Sequence, residues 1–202
     1  KMVRCKKNLI DEVQMDERVK SRWLTYQKAF LKRIQDRILI NKEYIERYWT
    51  AYDLFFSNRG FLKGDVLDIG GGWGLFREWW QPHRPGVYLV HDPGIERFCN
   101  GPSGLHLQLY SRAFSRPMTF VEGFGEILPY KNNIFDTCLV AATLDHCVDP
   151  SRVIKEAVRC LKVGGNLLII QSFYDNDKDE IRTKPYDRSK FLNQPRRLIR
   201  VI

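Results

Sequence analysis

The chain has 202 residues, enough for one domain of ordinary size with a hydrophobic core plus an appendage, and too few for two full domains. Its formal charge of +9 and pI of about 9.4 leave open an anionic small substrate, a phosphate backbone, an anionic surface, or plain solubility. There is no apolar run of the ~18 to 20 residues needed to span a bilayer, and the opening Lys1-Met-Val-Arg-Cys-Lys-Lys7 leads into polar sequence, so a soluble, cytoplasmic protein is expected.

Residues 11–60 read as helical. Val19, Trp23, Leu24, Phe30, Leu31, Ile34 and Ile38 recur at spacings of three, four and seven. A break near Asn41, which suits an N-cap, opens a second helix carrying Tyr44, Ile45, Tyr48, Trp49, Tyr52 and Phe55. An aromatic stripe of this kind is read first as core. Basic residues concentrate in these first fifty positions and again at Arg182, Lys184, Arg188, Lys190, Arg196, Arg197 and Arg200.

From Gly64 the pattern changes to strands alternating with helices, which implies a mostly parallel sheet covered on both faces. Strands are expected at 65–69, 87–91, 118–122, 137–142 and 166–172. Asp65-Val-Leu-Asp-Ile-Gly-Gly-Gly-Trp-Gly74 reads as a buried strand running into a glycine-rich turn, with a helix opening at Leu75 to Trp80. Gly70, Gly72 and Gly74 fall as G-x-G-x-G, whereas a dinucleotide fingerprint needs G-x-G-x-x-G and would place its third glycine at Leu75. That spacing argues against NAD and for S-adenosyl-L-methionine (SAM).

The next strand ends in His91-Asp92-Pro93, about 24 residues after Asp68 and near the roughly 20-residue offset at which a carboxylate takes the ribose hydroxyls of an adenosine. Cys99 to Pro117 reads as a loop plus a short helix. Asp149-Pro150 opens a later helix as N-cap and first helical residue; that helix packs through Val153, Ile154, Ala157, Val158 and Leu161, and Lys162-Val-Gly-Gly165 is expected to stop it. Cys5, Cys99, Cys138, Cys147 and Cys160 are odd in number and lack C-x-x-C spacing, so reduced thiols are expected and no metal site is indicated.

With Gly123-Phe-Gly-Glu-Ile-Leu-Pro-Tyr130, Phe135-Asp136, Leu144-Asp-His-Cys-Val-Asp-Pro150 and Leu161-Lys-Val-Gly-Gly165 following the glycine turn in order, the chain resembles the class I SAM-dependent methyltransferases, in particular the small-molecule subgroup. The resemblance spans roughly residues 61–175 and implies a Rossmann-like α/β fold. It divides the chain into an N-terminal helical cap (1–60), a SAM-binding core (61–175) and a basic C-terminal segment (176–202), in which the family's closing strands are reduced or incomplete. Only Leu198-Ile-Arg-Val-Ile202 there reads as strand.

Carried over position by position, the resemblance assigns Gly70, Gly71, Gly72 and Gly74 to the methionine and ribose parts of SAM. Asp68 would orient the turn and the methionine ammonium, Asp92 would take the ribose diol, Pro93 would flank the adenine, and Ala142 would line the site. Phe124-Gly125 stands where the family often has an acidic and a small residue, which removes a carboxylate for the adenine amino group and leaves backbone groups to receive it. His146 is the candidate general base, since a free histidine side chain titrates near 6.5 and can accept a proton at pH 7, and Asp145 would orient it or contact the acceptor. An Asn/Asp-Pro-Pro-Tyr/Phe element is absent at this strand end, which disfavours methylation of DNA bases.

The expected activity is methyl transfer from SAM, leaving S-adenosyl-L-homocysteine, to a small or medium-sized and perhaps anionic acceptor, with O-methylation favoured. Two alternatives stay open. The basic flanks would suit an RNA (tRNA) methyltransferase, and the altered adenine segment would suit a non-catalytic SAM-binding or scaffold domain.

Overall fold

A computed structural model describes residues 2–3, 25, 42–57, 59–82, 86–94, 104–170 and 199–201. Among them, strands β1 (Met2–Val3), β2 (Val66–Ile69), β3 (Tyr88–Asp92), β4 (Thr119–Glu122), β5 (Phe135–Ala141), β6 (Leu161–Ile170) and β7 (Ile199–Val201) form one sheet in the order β1-β4-β3-β2-β5-β6-β7. Every pairing is parallel. The helices are α1 (Lys42–Phe56), α2 (Gly104–Leu109), α3 (Ser111–Ser115) and α4 (Pro150–Cys160).

Strands β2 and β3 are buried along their whole length, as expected for a parallel sheet covered on both sides. Alternate residues serve opposite faces. Leu67, Ile69, Leu89 and Val140 pack against Val153, Ile154, Ala157 and Cys160 of α4. Val66, Tyr88, Val90 and Leu139 pack on the other face, with Phe56 of α1, Trp79, Trp80 and Ala113 of α3. Trp49, Tyr52 and Phe55 join this second layer, so the aromatic face of α1 is core. Phe56 stacks on Trp79 at 5.5 Å, and Trp79 Nε1–H donates to Asp53 Oδ1 at 2.8 Å.

From β2 the chain proceeds outward through β3 to β4, then returns to lay β5 along the other edge of β2. The order therefore reverses at β2. In open parallel sheets, ligands bind in the crevice outside the strands' C-terminal ends at such a reversal. Gly70 to Gly74 follow the C-terminal end of β2 directly.

Three local expectations need correction. The segment after the glycine turn forms only a 3-10 turn, Leu75–Trp79, because Trp80 is already extended (φ −68°, ψ 131°) and Gln81 precedes Pro82, a position that disfavours helix. Arg116 Nη1 takes the carbonyls this truncated turn leaves, those of Arg77, Glu78 and Trp80. Secondly, α4 is not stopped by a glycine. Leu161 is extended and opens β6, while Lys162 to Gly165 bulge out of the β5–β6 ladder between the pairs Phe135–Leu161 and Thr137–Asn166. Thirdly, β1 adds an edge strand on β4 that the sequence pattern did not suggest.

Asp149 does cap α4, accepting from Arg152 N–H at 3.1 Å, with Pro150 at the first helical position. Ile199–Val201 is a strand, paired in parallel with β6. Apart from Thr25, which is helical, the expected N-terminal helix before Asn41, the Asn41 cap and the basic tail at Arg182 to Arg197 lie outside the described residues.

Candidate active site

The glycine turn has the backbone that its composition demands. Gly70, Gly72 and Gly74 have φ of 70°, 52° and 63°, in the left-handed region where a side chain is strained. Gly71 is constrained by space instead: a Cβ there would lie 2.4 Å from the Asp68 carboxylate. A Cβ on Gly70 would meet the Thr143 side chain at the same separation. The turn is therefore pressed between a buried acid and the end of β5.

Asp92 ends β3 beside this turn and is 8% exposed. Its carboxylate accepts from Gly72 N–H at 3.1 Å and from Gly94 N–H at 2.7 Å. The acid thus anchors the turn as well as standing beside it. Pro93 is half-buried next to it.

Asp68 is fully buried and accepts from Tyr88 Oη–H at 2.8 Å, whereas its Oδ1 has no hydrogen-bond partner. Burial pushes its pKa up to about 7; the Tyr88 hydrogen bond opposes the shift, the Asp92 charge adds to it and Arg77 opposes it. Arg77, also buried, donates from Nε to the Ala113 carbonyl at 2.9 Å and leaves Nη1 without a partner. Its guanidinium lies 5.9 Å from the Tyr88 ring centre. An acid, a phenol and a cation are thus buried together behind the turn.

Phe124 and Gly125 are buried where the chain leaves β4. A Cβ on Gly125 would lie 2.8 Å from Ile69, so this segment packs directly on the end of β2. Glu126 fixes the segment to α4, its Oε1 accepting from the N–H groups of Val148 (2.9 Å) and Asp149 (3.3 Å). Burial raises its pKa. The Phe124 carbonyl already accepts from Ile127 N–H (3.1 Å) and faces His91 Nε2 (3.2 Å), so it is one backbone acceptor occupied within the protein.

At the end of β5, Ala142 is exposed and has a left-handed φ of 49°, a strain that persists only where surroundings impose it. Its N–H donates to the Ile170 carbonyl at 2.7 Å. Thr143 Oγ1 lies 2.9 Å from the Ala141 carbonyl and 3.2 Å from that of Ile69, bridging β5 and β2 just where Gly70 needs clearance. Asp145 and His146 sit in the short 3-10 turn Leu144–His146. Their side chains are part-exposed, and His146 Nε2 lies 3.8 Å from Asp145 Oδ1, beyond hydrogen-bond distance.

Comparison with known proteins gives the family. The family model described as "Methyltransferase domain" matches residues 67–169, half of the chain. The chain belongs to the class I SAM-dependent methyltransferases. Its relatives include the ubiquinone/menaquinone biosynthesis C-methyltransferase UbiE of Hahella chejuensis, 28% identical over 154 residues covering 75% of this chain and 59% of that protein. The UbiE protein of Pseudomonas aeruginosa PAO1 is 29% identical, with 57% of its length covered. The chain thus spans less than two thirds of these relatives. A methyltransferase structure from Bacillus halodurans C-125 shares the fold at a TM-score of 0.51 and 18% identity, over 71% of this chain and 64% of its own. A SAM-dependent methyltransferase structure from Methanococcus maripaludis matches at 0.50 and 19%, over 69% and 62%.

The cofactor of this family is SAM, and two observations in this chain fit it. The glycine positions of the turn admit no Cβ without a clash or strain, as a close backbone cradle requires, and Asp68 keeps a buried oxygen without a partner beside that cradle. Among the described residues no helix is long and apolar enough to cross a membrane, and no His, Cys, Asp or Glu cluster suits a metal. Cys138, Cys147 and Cys160 are free and buried, with burial raising each thiol's pKa.

Sequence reasoning passed over Thr143, Tyr88, His91 and Tyr130. A signal was present for two of them: Tyr88 and His91 are polar residues within a strand that is otherwise buried and apolar, where each must find a partner.

Proposed function

We propose that this chain transfers the methyl group of SAM to a small or medium-sized hydroxylated acceptor, with Asp92 on the ribose diol and the Gly70–Gly74 turn around the methionine and ribose. The observation that carries this reading is the Asp92 carboxylate anchored on Gly72 N–H at the sheet's reversal point. A carboxylate so placed stands next to the turn with its position fixed before ligand arrives. Asp68, with its unpartnered Oδ1, lies behind Gly71 and serves the methionine ammonium. Pro93, Phe124 and Gly125 flank the adenine, and Ala142 lines the wall towards β5.

Bound SAM would supply a methyl group on a sulfonium, which would pass to the acceptor's lone pair as its bond to sulfur breaks and leaves a neutral thioether. The protein's task is alignment of the two partners at near-attack distance. His146 removes the hydroxyl proton, and Asp145 contacts the acceptor or steadies the imidazole at longer range. An anionic acceptor is supported by the chain's net charge of +9.

Removing that proton creates an oxygen nucleophile. It also activates the ring carbon next to a phenolic or enolic oxygen, and the UbiE relatives, named as C-methyltransferases, favour this second reading. Incubation with methyl-13C SAM and a panel of phenols, reduced quinones, sugars and RNA tests both. Carbon NMR of the product distinguishes a methyl on oxygen from a methyl on carbon. Label entering tRNA alone would replace both readings. SAM binding without label transfer to any acceptor would instead indicate a binding domain.

A further inference from the structure

His91 is fully buried, and as the penultimate residue of β3 it directly precedes Asp92. Successive strand residues face opposite sides, so Asp92 serves the glycine turn while His91 points into the layer below Phe124. Its Nε2 lies 3.2 Å from the Phe124 carbonyl and its Nδ1 lies 2.8 Å from Tyr130 Oη.

A carbonyl can only accept, so Nε2 carries the hydrogen. A neutral ring must then accept at Nδ1, and the Tyr130 hydroxyl is the donor. Neutrality follows from the setting, since burial holds the imidazole well below its ordinary value, at about 4, with the Phe124 hydrogen bond opposing. Phenol, imidazole and carbonyl form a chain with one direction of donation. The Tyr130 ring reinforces it, meeting His91 edge-on at 5.6 Å and Phe135 at 5.4 Å.

We propose that His91 is a positioning residue for the adenine end of SAM: with its Nε2–H given to the Phe124 carbonyl and its Nδ1 satisfied by Tyr130, it holds that carbonyl inward and so fixes how Phe124–Gly125 present themselves to the base. The inference rests on the reading that this segment flanks adenine. It has a specific consequence. The Phe124 carbonyl has both its acceptor directions used, by Ile127 N–H and His91 Nε2–H, so it is withheld from the adenine amino group. Selectivity for adenine then depends on the shape and remaining groups of a segment that His91 keeps in place. One strand end thereby sets ribose recognition by Asp92 and base recognition by His91.

The test compares S-adenosylhomocysteine with S-inosylhomocysteine, which differs only in the base, by calorimetry on the native protein, His91→Leu, His91→Gln and Tyr130→Phe. The native protein should prefer the adenosyl ligand. In His91→Leu the segment loses its anchor and the preference should fall by about three- to tenfold, the size of one hydrogen bond's contribution to holding it; a rise, with the freed Phe124 carbonyl reaching the adenine amino group, would overturn the proposal. His91→Gln, which can still donate to Phe124, should recover part of it, and Tyr130→Phe should show a smaller loss. Nitrogen NMR should find the Nε2–H tautomer in the native protein, and the Nδ1–H form there would overturn the proposed donation to Phe124. Equal weakening of both ligands in every variant would make His91 structural only and overturn the proposal. Absence of any preference in the native protein would overturn the adenine assignment itself. Should His91→Leu fail to fold, Tyr130→Phe carries the test, since it keeps the ring and removes only the donor.

Discussion

The donor and acceptor sides of the crevice are built differently, although they meet at Gly70. On the donor side, Asp68, Asp92, Phe124 and Glu126 are all buried, and the turn, β3 and the Phe124 segment are joined by hydrogen bonds from named atoms. On the acceptor side, Asp145 and His146 are part-exposed in a three-residue 3-10 turn and 3.8 Å apart. A ligand common to a whole family rewards a rigid, desolvated cradle, while an acceptor that differs among its members is met on a short, adaptable segment. On the proposed assignment, methyl donor and methyl acceptor meet parts of the protein that differ in burial and in hydrogen bonding.

The sharpest way to separate the two sides is His146→Gln. Loss of a general base should lower turnover by about 10²- to 10⁴-fold while S-adenosylhomocysteine affinity stays unchanged. Steady-state rates beside calorimetry check this, and full activity would leave His146 with a structural role. The opposite experiment is Gly71→Ala, which places a methyl 2.4 Å from the Asp68 carboxylate. Overpacking of about 1–3 kcal/mol should weaken cofactor binding by roughly ten- to a hundredfold. Wild-type affinity would mean that the turn yields freely, against the contrast drawn here.

A smaller effect belongs to Asp68, whose pKa is raised by burial to about 7. The native state then binds the proton more tightly than the unfolded chain, so Asp68's contribution is full below the ordinary carboxylate value and is lost as pH rises through about 7. Asp68→Asn should flatten that decline in stability, measured by denaturant unfolding at several pH values. Buffer-dependent binding enthalpies should also show proton release when the ligand's ammonium meets Asp68. The smallest effect is expected for Asp53→Asn, which weakens the acceptor of Trp79 Nε1–H and loosens α1 from the 3-10 turn. A loss of about 1 kcal/mol or less is expected, with turnover unchanged.

The donor side was also the more legible in sequence. Val66, Leu67 and Ile69 followed by Gly70, Gly72 and Gly74 specify strand and turn through local backbone requirements, and Asp92 and the Asp149-Pro150 cap follow from position along the chain. The length of the segment after Gly74 was less accessible, because Pro82 and the remote Arg116 decide where that turn ends. Thr143, Tyr88, His91 and Tyr130 matter through partners far away in sequence, which periodicity does not report. Asp92 carries a further lesson. Its role read as ligand contact alone, yet it also holds Gly72 and Gly94, so Asp92→Ala should cost stability as well as affinity.

For that reason the central claim is tested best by changing the ligand together with the residue. Calorimetry of S-adenosylhomocysteine and its 2′-deoxy analogue on the native protein and on Asp92→Asn forms a double-change cycle. If Asp92 takes the ribose diol, the native protein should penalise the missing hydroxyl severalfold and the variant should scarcely distinguish the ligands. An equal penalty in both would place the ribose elsewhere and contradict the account.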